Sequence, residues 1–100
     1  MKEITPIELK TLKDTNANFQ LIDVREEYEF DEANLNGELM PMGEVMDNVE
    51  KISKDKQVVI HCRSGKRSAT VISALESQYG FTNLYNLKGG ILAYLDEFSN

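Results

Sequence analysis

The sequence predicts a single α/β domain in which parallel strands are covered by helices on both faces. Segments typical of strands alternate with segments of helical period along the whole chain. The run at residues 57–62, Gln-Val-Val-Ile-His-Cys, is apolar through its middle, as in a strand buried on both faces of a parallel sheet. Because no repeat, linker or low-complexity stretch divides the chain, residues 1–100 are expected to form one unit.

A capping box opens the first predicted helix. Thr5 is its N-cap, Pro6 occupies the first helical position, and Glu8 stands three residues after the cap. Leu9 and Leu12 would form the buried stripe of this helix. The next elements are a strand, a short acidic helix, a turn and an amphipathic helix, predicted at residues 19–24, 26–33, 34–37 and 43–52.

The second half of the chain contains the clearest helical pattern. Ile72, Leu75 and Tyr79 share one face of a helix predicted over residues 68–79, and Gly80 is its stop signal. The elements after it are a strand, a glycine turn and a final helix, predicted at residues 84–87, 89–90 and 91–98. Since strands and helices alternate, the strands should run parallel and bind ligands beyond their carboxyl ends.

The charge of the chain disfavours two classes of partner. Eleven basic and 17 acidic residues give a formal net charge of −6, which repels nucleic acid and anionic lipid. We therefore expect no nucleic acid and no membrane among its partners. Residues 61–68 are an exception, because they contain no acid and three cations, namely Arg63, Lys66 and Arg67.

The single cysteine and the short apolar runs bear on localisation. One cysteine excludes an internal disulfide. The first residues lack the apolar core of a signal peptide, and the longest apolar run, residues 91–95, has five residues, far too few to span a bilayer. We therefore expect the protein in the cytoplasm, where a free thiol stays reduced.

Cys62 stands where the predicted sheet would bind a ligand. Its strand runs into a loop and then a helix, so the thiol should lie over converging backbone N–H groups at the helix N-terminus. These groups, with the nearby cations, would lower the pKa of the thiol. Gly65 permits a tight loop, because a positive φ costs glycine little. The alternative is an inert buried thiol with solvated cations around it.

Other polar and sulfur-containing residues are interpreted as structural. His61 is a poor base for Cys62, because neighbouring strand residues point to opposite faces. The methionines at positions 40, 42 and 46 are expected in the core, although they could line a soft rim for sulfur. The acidic segment 26–32 is expected to be a solvated face, although it could dock a basic partner.

Four stretches together resemble the small single-domain rhodanese-like sulfurtransferases over essentially the whole chain. They are Leu-Ile-Asp-Val-Arg at 21–25, Asn36-Gly37 with Met40-Pro41, Cys-Arg-Ser-Gly-Lys-Arg-Ser at 62–68, and Leu-Lys-Gly-Gly at 87–90 with Tyr94. The cysteine loop and the Gly-Gly block at this spacing are the specific part of the signal. The resemblance implies a three-layer α/β/α fold around a five-stranded parallel sheet.

The resemblance also implies a mechanism. Cys62 would carry sulfane sulfur as a persulfide, taken from a small anionic donor such as thiosulfate and passed to a thiol, to cyanide or to an acceptor protein. No metal or organic cofactor is required. Asp23 and Arg25 would brace the structure near the pocket. The residues that would cradle the persulfide or attract the donor are Arg63, Ser64, Gly65, Lys66, Arg67 and Ser68.

The sequence departs from the family pattern at three positions. Asn34 stands where the family often has histidine, Glu38 where alanine is usual, and Tyr94 where tryptophan is common. These departures bear on substrate preference and on the local strand edge more than on the cysteine chemistry.

Two other functions remain open on the sequence alone. Phosphatases and arsenate reductases of similar fold use a Cys-x5-Arg loop, but the sixth residue after Cys62 is Ser68, and Arg67 comes one residue early. That shift turns a helical side chain by about 100°, so an arginine clamp for phosphate would be misaimed. The second possibility is a sulfur-relay or protein-docking module without small-molecule turnover of its own.

Overall fold

The computed structural model describes residues 1–98 and contains five parallel strands between two layers of helices. The strands are β1 (Glu3–Ile4), β2 (Phe19–Asp23), β3 (Glu38–Leu39), β4 (Gln57–His61) and β5 (Leu84–Leu87), in the sheet order β1-β5-β4-β2-β3. The helices are α1 (Pro6–Asp14), α2 (Glu27–Glu32), α3 (Lys66–Tyr79) and α4 (Gly90–Phe98). The predicted three-layer α/β/α fold is confirmed.

The central strand β4 explains why its sequence is continuously apolar. Its neighbours are β2 and β5, and Val58, Val59 and Ile60 are all fully buried. Val58 and Ile60 face a core cluster built with α3, whereas Val59 faces a second cluster built with α1 and α4. Because alternate side chains of a strand point to opposite faces, a strand covered on both faces has no solvent-facing positions.

The sheet places the ends of β2 and β4 side by side. Asp23 and His61, the last residues of the two strands, are partners in the parallel register. Cys62 follows His61 directly, so the loop after β4 starts beside the loop after β2. This edge of the sheet holds the candidate site.

The predicted amphipathic helix at 43–52 is wrong. The structure has two short 3₁₀ helices there, Met42–Asp47 and Val49–Lys51. Asn48 separates them, because its backbone leaves the helical region (φ −129°, ψ 24°) and its side-chain amide donates to the Glu44 carbonyl at 2.8 Å. Val45 and Ile52, two apolar residues of the predicted helix, are still buried, so a tighter turn satisfies the apolar pattern.

Smaller differences concern element ends and single side chains. The strands β1 and β3 have two residues each, too few to show a period in the sequence. Helix α3 begins at Lys66 rather than at residue 68, with Gly65 before it at φ 104°. Tyr79, expected on the buried face of α3, is 41% exposed. None of the helices within residues 1–98 has both the length and the apolar character needed to cross a membrane.

Candidate active site

The sulfur of Cys62 lies in a cradle of hydrogen-bond donors. The Gly65 N–H donates to Sγ at 3.1 Å, and Ser68 approaches Sγ with its N–H at 3.5 Å and its hydroxyl at 3.4 Å. Cys62 is only 1% exposed. The strand–loop–helix pattern has therefore placed the thiol over the first turn of α3, as the sequence predicted.

The cradle shifts the thiol toward its anion. Burial raises the pKa of the Cys62 thiol, but hydrogen bonds from the Ser68 hydroxyl and from backbone amides of the loop outweigh it, so the pKa is lower than the ordinary value. The largest favourable contributions are these hydrogen bonds. From the sequence, the three cations of the loop were also expected to lower this pKa, but the groups that lower it are the uncharged donors of Ser64, Gly65 and Ser68.

Helix α4 fixes the carbonyls of the same loop. The Ile91 N–H donates to the Cys62 carbonyl at 2.9 Å, and the Leu92 N–H donates to the Arg63 carbonyl at 3.2 Å. Gly90 makes this approach possible, because a Cβ at that position would lie 2.3 Å from the Arg63 carbonyl oxygen. The loop is thus held from both sides, with its N–H groups turned toward sulfur and two of its carbonyls turned toward α4.

Asp23 and Arg25 form a buried brace beside the loop. Arg25 donates to both carboxylate oxygens of Asp23 at 2.8–3.1 Å, and its guanidinium also donates to the Ala33 carbonyl at 2.7 Å. The side chains of Arg25 and Asp23 are 6% and 0% exposed, respectively. This geometry fits the structural role that the sequence proposed for the pair, since it ties the end of β2 to the end of α2.

His61 turns away from the sulfur, as the strand alternation predicted. Its Nε2 lies 3.6 Å from the Asp23 carboxylate, and the ring is fully buried. Burial lowers the pKa of His61, so the imidazole is neutral around pH 7. It contacts the brace rather than the thiol, which makes it part of the scaffold.

The guanidinium of Arg67 is held by Glu29 and is not free in the loop. Its two nitrogens donate to the two carboxylate oxygens of Glu29 at 2.7 and 3.0 Å. Glu29 also accepts the Glu26 N–H at 3.1 Å. From the sequence, Arg67 was expected to help attract the anionic sulfur donor, and Glu29 was expected on a solvated face. The side chain of Glu29 is instead only 13% exposed, and its charge offsets that of Arg67.

The other two cations of the loop stay exposed. Within residues 1–98, Arg63 and Lys66 form no ion pair with an acidic side chain. Arg63 lines a pocket of about 270 Å³ beside the loop. The other residues that line this pocket are Arg25, Tyr28, Glu29, Glu32, Ala33, Ile91, Leu92 and Leu95.

Asn86 belongs to the site, and the sequence reading missed it. Its side-chain N–H donates to the Gly65 carbonyl at 3.1 Å, and its oxygen accepts the Ser68 hydroxyl at 2.6 Å. Asn86 is 5% exposed in β5, where it lies between Tyr85 and Leu87. A polar residue within a short buried strand is the signal that could have identified it.

Comparison with known proteins decides the family. Residues 5–97 match the rhodanese-like domain. The chain belongs to the rhodanese-like family. Its identity to YtwF of Bacillus subtilis (strain 168), a protein named as a sulfurtransferase, is 37% over 98 residues, covering 97% of this chain and 93% of YtwF.

Two further proteins are similar to this rhodanese-like domain, one a longer relative and one a solved structure. MoeZ of Mycobacterium tuberculosis, named as an adenylyltransferase/sulfurtransferase, is 34% identical over 94 residues; the match covers 91% of this chain and 24% of MoeZ. The chain therefore spans about a quarter of that relative. The solved structure of a rhodanese-like domain protein from Staphylococcus aureus has a TM-score of 0.84 at 34% identity, covering 94% of this chain and 91% of that one.

The three departures from the rhodanese-like pattern have local structural roles. Asn34 donates to the Phe30 carbonyl at 3.0 Å and accepts the Asn36 N–H at 2.9 Å, which closes the end of α2. Glu38 of the exposed edge strand β3 accepts a hydrogen bond from the Gln20 side chain of β2 at 3.1 Å.

Tyr94 packs against the ring of Phe98 in the same helix, α4, at a centroid distance of 4.9 Å.

The methionines divide between the core and the surface. Met40 is 4% exposed and Met42 packs against the same core cluster, as expected. Met46 is 37% exposed, so its predicted place in the core is wrong.

Replacing Gly90 with alanine should destabilise the protein by more than backbone strain alone accounts for, because the added Cβ would collide with the loop. Gly80→Ala measures the strain alone, because Gly80 also has positive φ but nothing within 4 Å of a Cβ. We expect Gly80→Ala to lower the unfolding free energy by about 1–2 kcal/mol. Gly90→Ala should cost more than this, at least about 3 kcal/mol, because its Cβ overlaps the Arg63 carbonyl. Urea unfolding checks both values, and equal costs would contradict the close-approach explanation.

The Glu29–Arg67 pair should make stability depend on acid pH. Hydrogen bonding from Arg67 lowers the pKa of Glu29 from 4.5 to about 2, so the contribution of the charged pair is fully present above pH 4.5 and is lost as the pH falls through 2. Glu29→Gln should therefore be less stable at pH 7 and show a shallower loss of stability between pH 4.5 and 2. Thermal midpoints across this range test it. Glu32→Gln, an exposed acid of the same helix, should keep the wild-type slope.

Proposed function

We propose that this rhodanese-like domain is a sulfurtransferase that carries sulfane sulfur as a persulfide on Cys62, taken from an anionic donor such as thiosulfate. The observation that supports this most is the set of donors around Sγ, with the Gly65 N–H at 3.1 Å. The thiolate attacks the outer sulfur of thiosulfate, a new S–S bond forms, and the bond within the donor breaks. Sulfite leaves with the electron pair of that bond.

The second half-reaction returns the enzyme to its starting state. Cyanide or a thiolate attacks the outer sulfur of the persulfide, and the Cys62 thiolate leaves with the electron pair. Both forms of the site carry a sulfur anion, so the same hydrogen-bond donors stabilise both. The cycle needs neither a metal nor an organic cofactor. A single thiol that must stay reduced fits a reducing compartment such as the cytoplasm.

The surrounding side chains have separate roles in this proposal. Arg63 and Lys66 are exposed and attract the anionic donor toward the loop. Arg67 acts through Glu29, since their bidentate pair links α2 to the first turn of α3. Ser64, Gly65 and Ser68 supply the donors that hold the sulfur anion.

A phosphatase function is less well supported by the same geometry. A phosphate clamp would need an arginine that aims its guanidinium at the anion held by the loop. Arg67 is the arginine nearest to the required position, and its guanidinium is bound to Glu29 at 2.7 Å.

A sulfur-relay function is the second candidate, and one surface feature favours it. Exposed apolar side chains lie around the pocket beside the loop, with Tyr28 67% and Leu92 47% exposed. Such a rim suits contact with a protein that donates or accepts the sulfur. MoeZ, a relative named as an adenylyltransferase/sulfurtransferase, matches this domain over 24% of its own length. The persulfide step on Cys62 is the same in both functions.

The Cys62→Ser variant tests the proposed chemistry. It should remain folded and lose sulfur transfer from thiosulfate to cyanide, because a serine hydroxyl forms no persulfide. Thiocyanate formation measures the activity, and circular dichroism checks the fold. The wild-type preparation should hydrolyse an aryl phosphate far more slowly than it transfers sulfur. Substantial thiocyanate formation by Cys62→Ser, or faster phosphate hydrolysis by the wild type, would refute the proposal.

Neutralising an exposed cation of the loop should weaken the use of thiosulfate. For Arg63→Gln and Lys66→Gln we expect kcat/KM to fall by roughly two- to fivefold at low salt and by less at high salt. Lys56→Gln makes the same charge change just before β4, at the opposite end of that strand, and should leave kcat/KM unchanged. Equal values for all three variants and the wild type would mean that the loop cations do not guide the donor.

A further inference from the structure

The hydroxyl of Ser68 lies between two acceptors but has only one proton. One acceptor is the Asn86 side-chain oxygen at 2.6 Å, and the other is the Cys62 sulfur at 3.4 Å. A hydroxyl can donate one full hydrogen bond at a time. Both distances are within hydrogen-bond range for their acceptor, because sulfur is larger than oxygen, so the single proton has two alternative partners.

The orientation of the Asn86 amide is fixed by its other contact. Its N–H donates to the Gly65 carbonyl at 3.1 Å, so turning the amide would bring its oxygen against a carbonyl oxygen. Ser68 is fully buried and Asn86 is 5% exposed, so solvent has little access to either group. The strand also holds Asn86 firmly, because it pairs with Ile60 of β4 and Glu3 of β1.

We propose that Asn86 is a positioning residue that competes with the Cys62 sulfur for the Ser68 hydroxyl proton. While Cys62 is a neutral thiol, the hydroxyl donates to Asn86, and its oxygen can accept the S–H. When the sulfur becomes an anion, the hydroxyl rotates and donates to Sγ instead, leaving the Asn86 oxygen without that bond. Only rotation of the hydroxyl is needed, so no proton is gained or lost by Ser68 or Asn86.

The other contacts of the loop make this competition specific to Ser68. Gly65 donates to sulfur through its backbone N–H, which cannot turn away. Its carbonyl also accepts the Ala69 N–H at 3.1 Å, so the first turn of α3 remains anchored without Asn86. Loss of the Asn86 side chain should therefore act on the sulfur mainly through the freed hydroxyl.

The charged and titratable groups around Cys62 come from the loop, α3, α2 and β4, and they are unchanged in an Asn86 variant. Arg63 and Lys66 belong to the loop and the start of α3, and both are exposed. Arg67 is paired with Glu29 of α2. His61 of β4 points to the opposite face and is neutral. A shift caused by Asn86 can thus be separated from a shift caused by charge.

The inference concerns the sulfur that the proposed function uses, and its role in turnover rests on that function. A persulfide anion would compete for the same hydroxyl as the thiolate does. The competition itself is a property of the free thiol. It can therefore be tested without any sulfur-transfer assay, and the two proposals can fail independently.

Titration of the thiolate in Asn86→Leu is the first test. Leucine has a similar size and no acceptor, so the Ser68 hydroxyl should donate to sulfur alone. At a pH below the titration midpoint, the thiolate fraction should rise by about two- to tenfold, the worth of one net hydrogen bond, and the midpoint should fall. Ultraviolet absorbance of the thiolate in the full chain measures both. Asn86→Val, with a β-branched side chain suited to a strand, is expected to shift the midpoint in the same direction if the leucine variant does not fold.

A double-mutant cycle shows whether the effect passes through Ser68. Ser68→Ala should raise the midpoint, and adding Asn86→Leu to it should no longer lower the midpoint. Asn83→Leu removes an asparagine amide at the other end of β5, where it bonds the Lys56 carbonyl at 2.6 Å, and should leave the thiolate unaffected. An equal downward shift with and without Ser68, or no shift in either Asn86 variant, would overturn the proposal.

Discussion

The convergence of backbone N–H groups on one buried sulfur is the constraint on which the rest of the structure depends. Such a cradle requires the chain to leave β4, turn within a few residues and start α3 with its first amides aimed inward. Gly65 supplies the turn with φ 104°. Gly90 lets α4 approach closely enough to hold the loop carbonyls, which keeps them away from the sulfur.

Charge is arranged so that the buried part of the site is balanced and its outer part is cationic. Arg25 is neutralised by Asp23 in a pair that ties the end of β2 to the end of α2, and Arg67 is neutralised by Glu29 in a pair that links α2 to α3. Arg63 and Lys66 remain exposed beside the loop of a chain whose formal net charge is −6. An anion near Cys62 therefore meets a favourable field, while the thiolate itself is stabilised mainly by uncharged hydrogen-bond donors.

The sequence predicted those features that depend on local pattern. The apolar run of β4, the capping box of α1 and the position of Cys62 were all readable, because each depends on neighbours in the chain. The 3₁₀ helix at Met42–Asp47 was predicted as part of a longer amphipathic helix, since the apolar spacing there fits both an α-helix and a 3₁₀ helix. The partnership of Arg67 with Glu29 and the role of Asn86 join residues far apart in sequence, and only the folded arrangement brings them together.

The most direct test of the central claim is the mass of the intact protein after incubation with thiosulfate and removal of small molecules. We predict the addition of one sulfur atom, located on the peptide that contains Cys62 and lost again on treatment with cyanide. A protein of unchanged mass, or an added sulfur that cyanide does not remove, would contradict the account of Cys62 as the carrier of transferable sulfur.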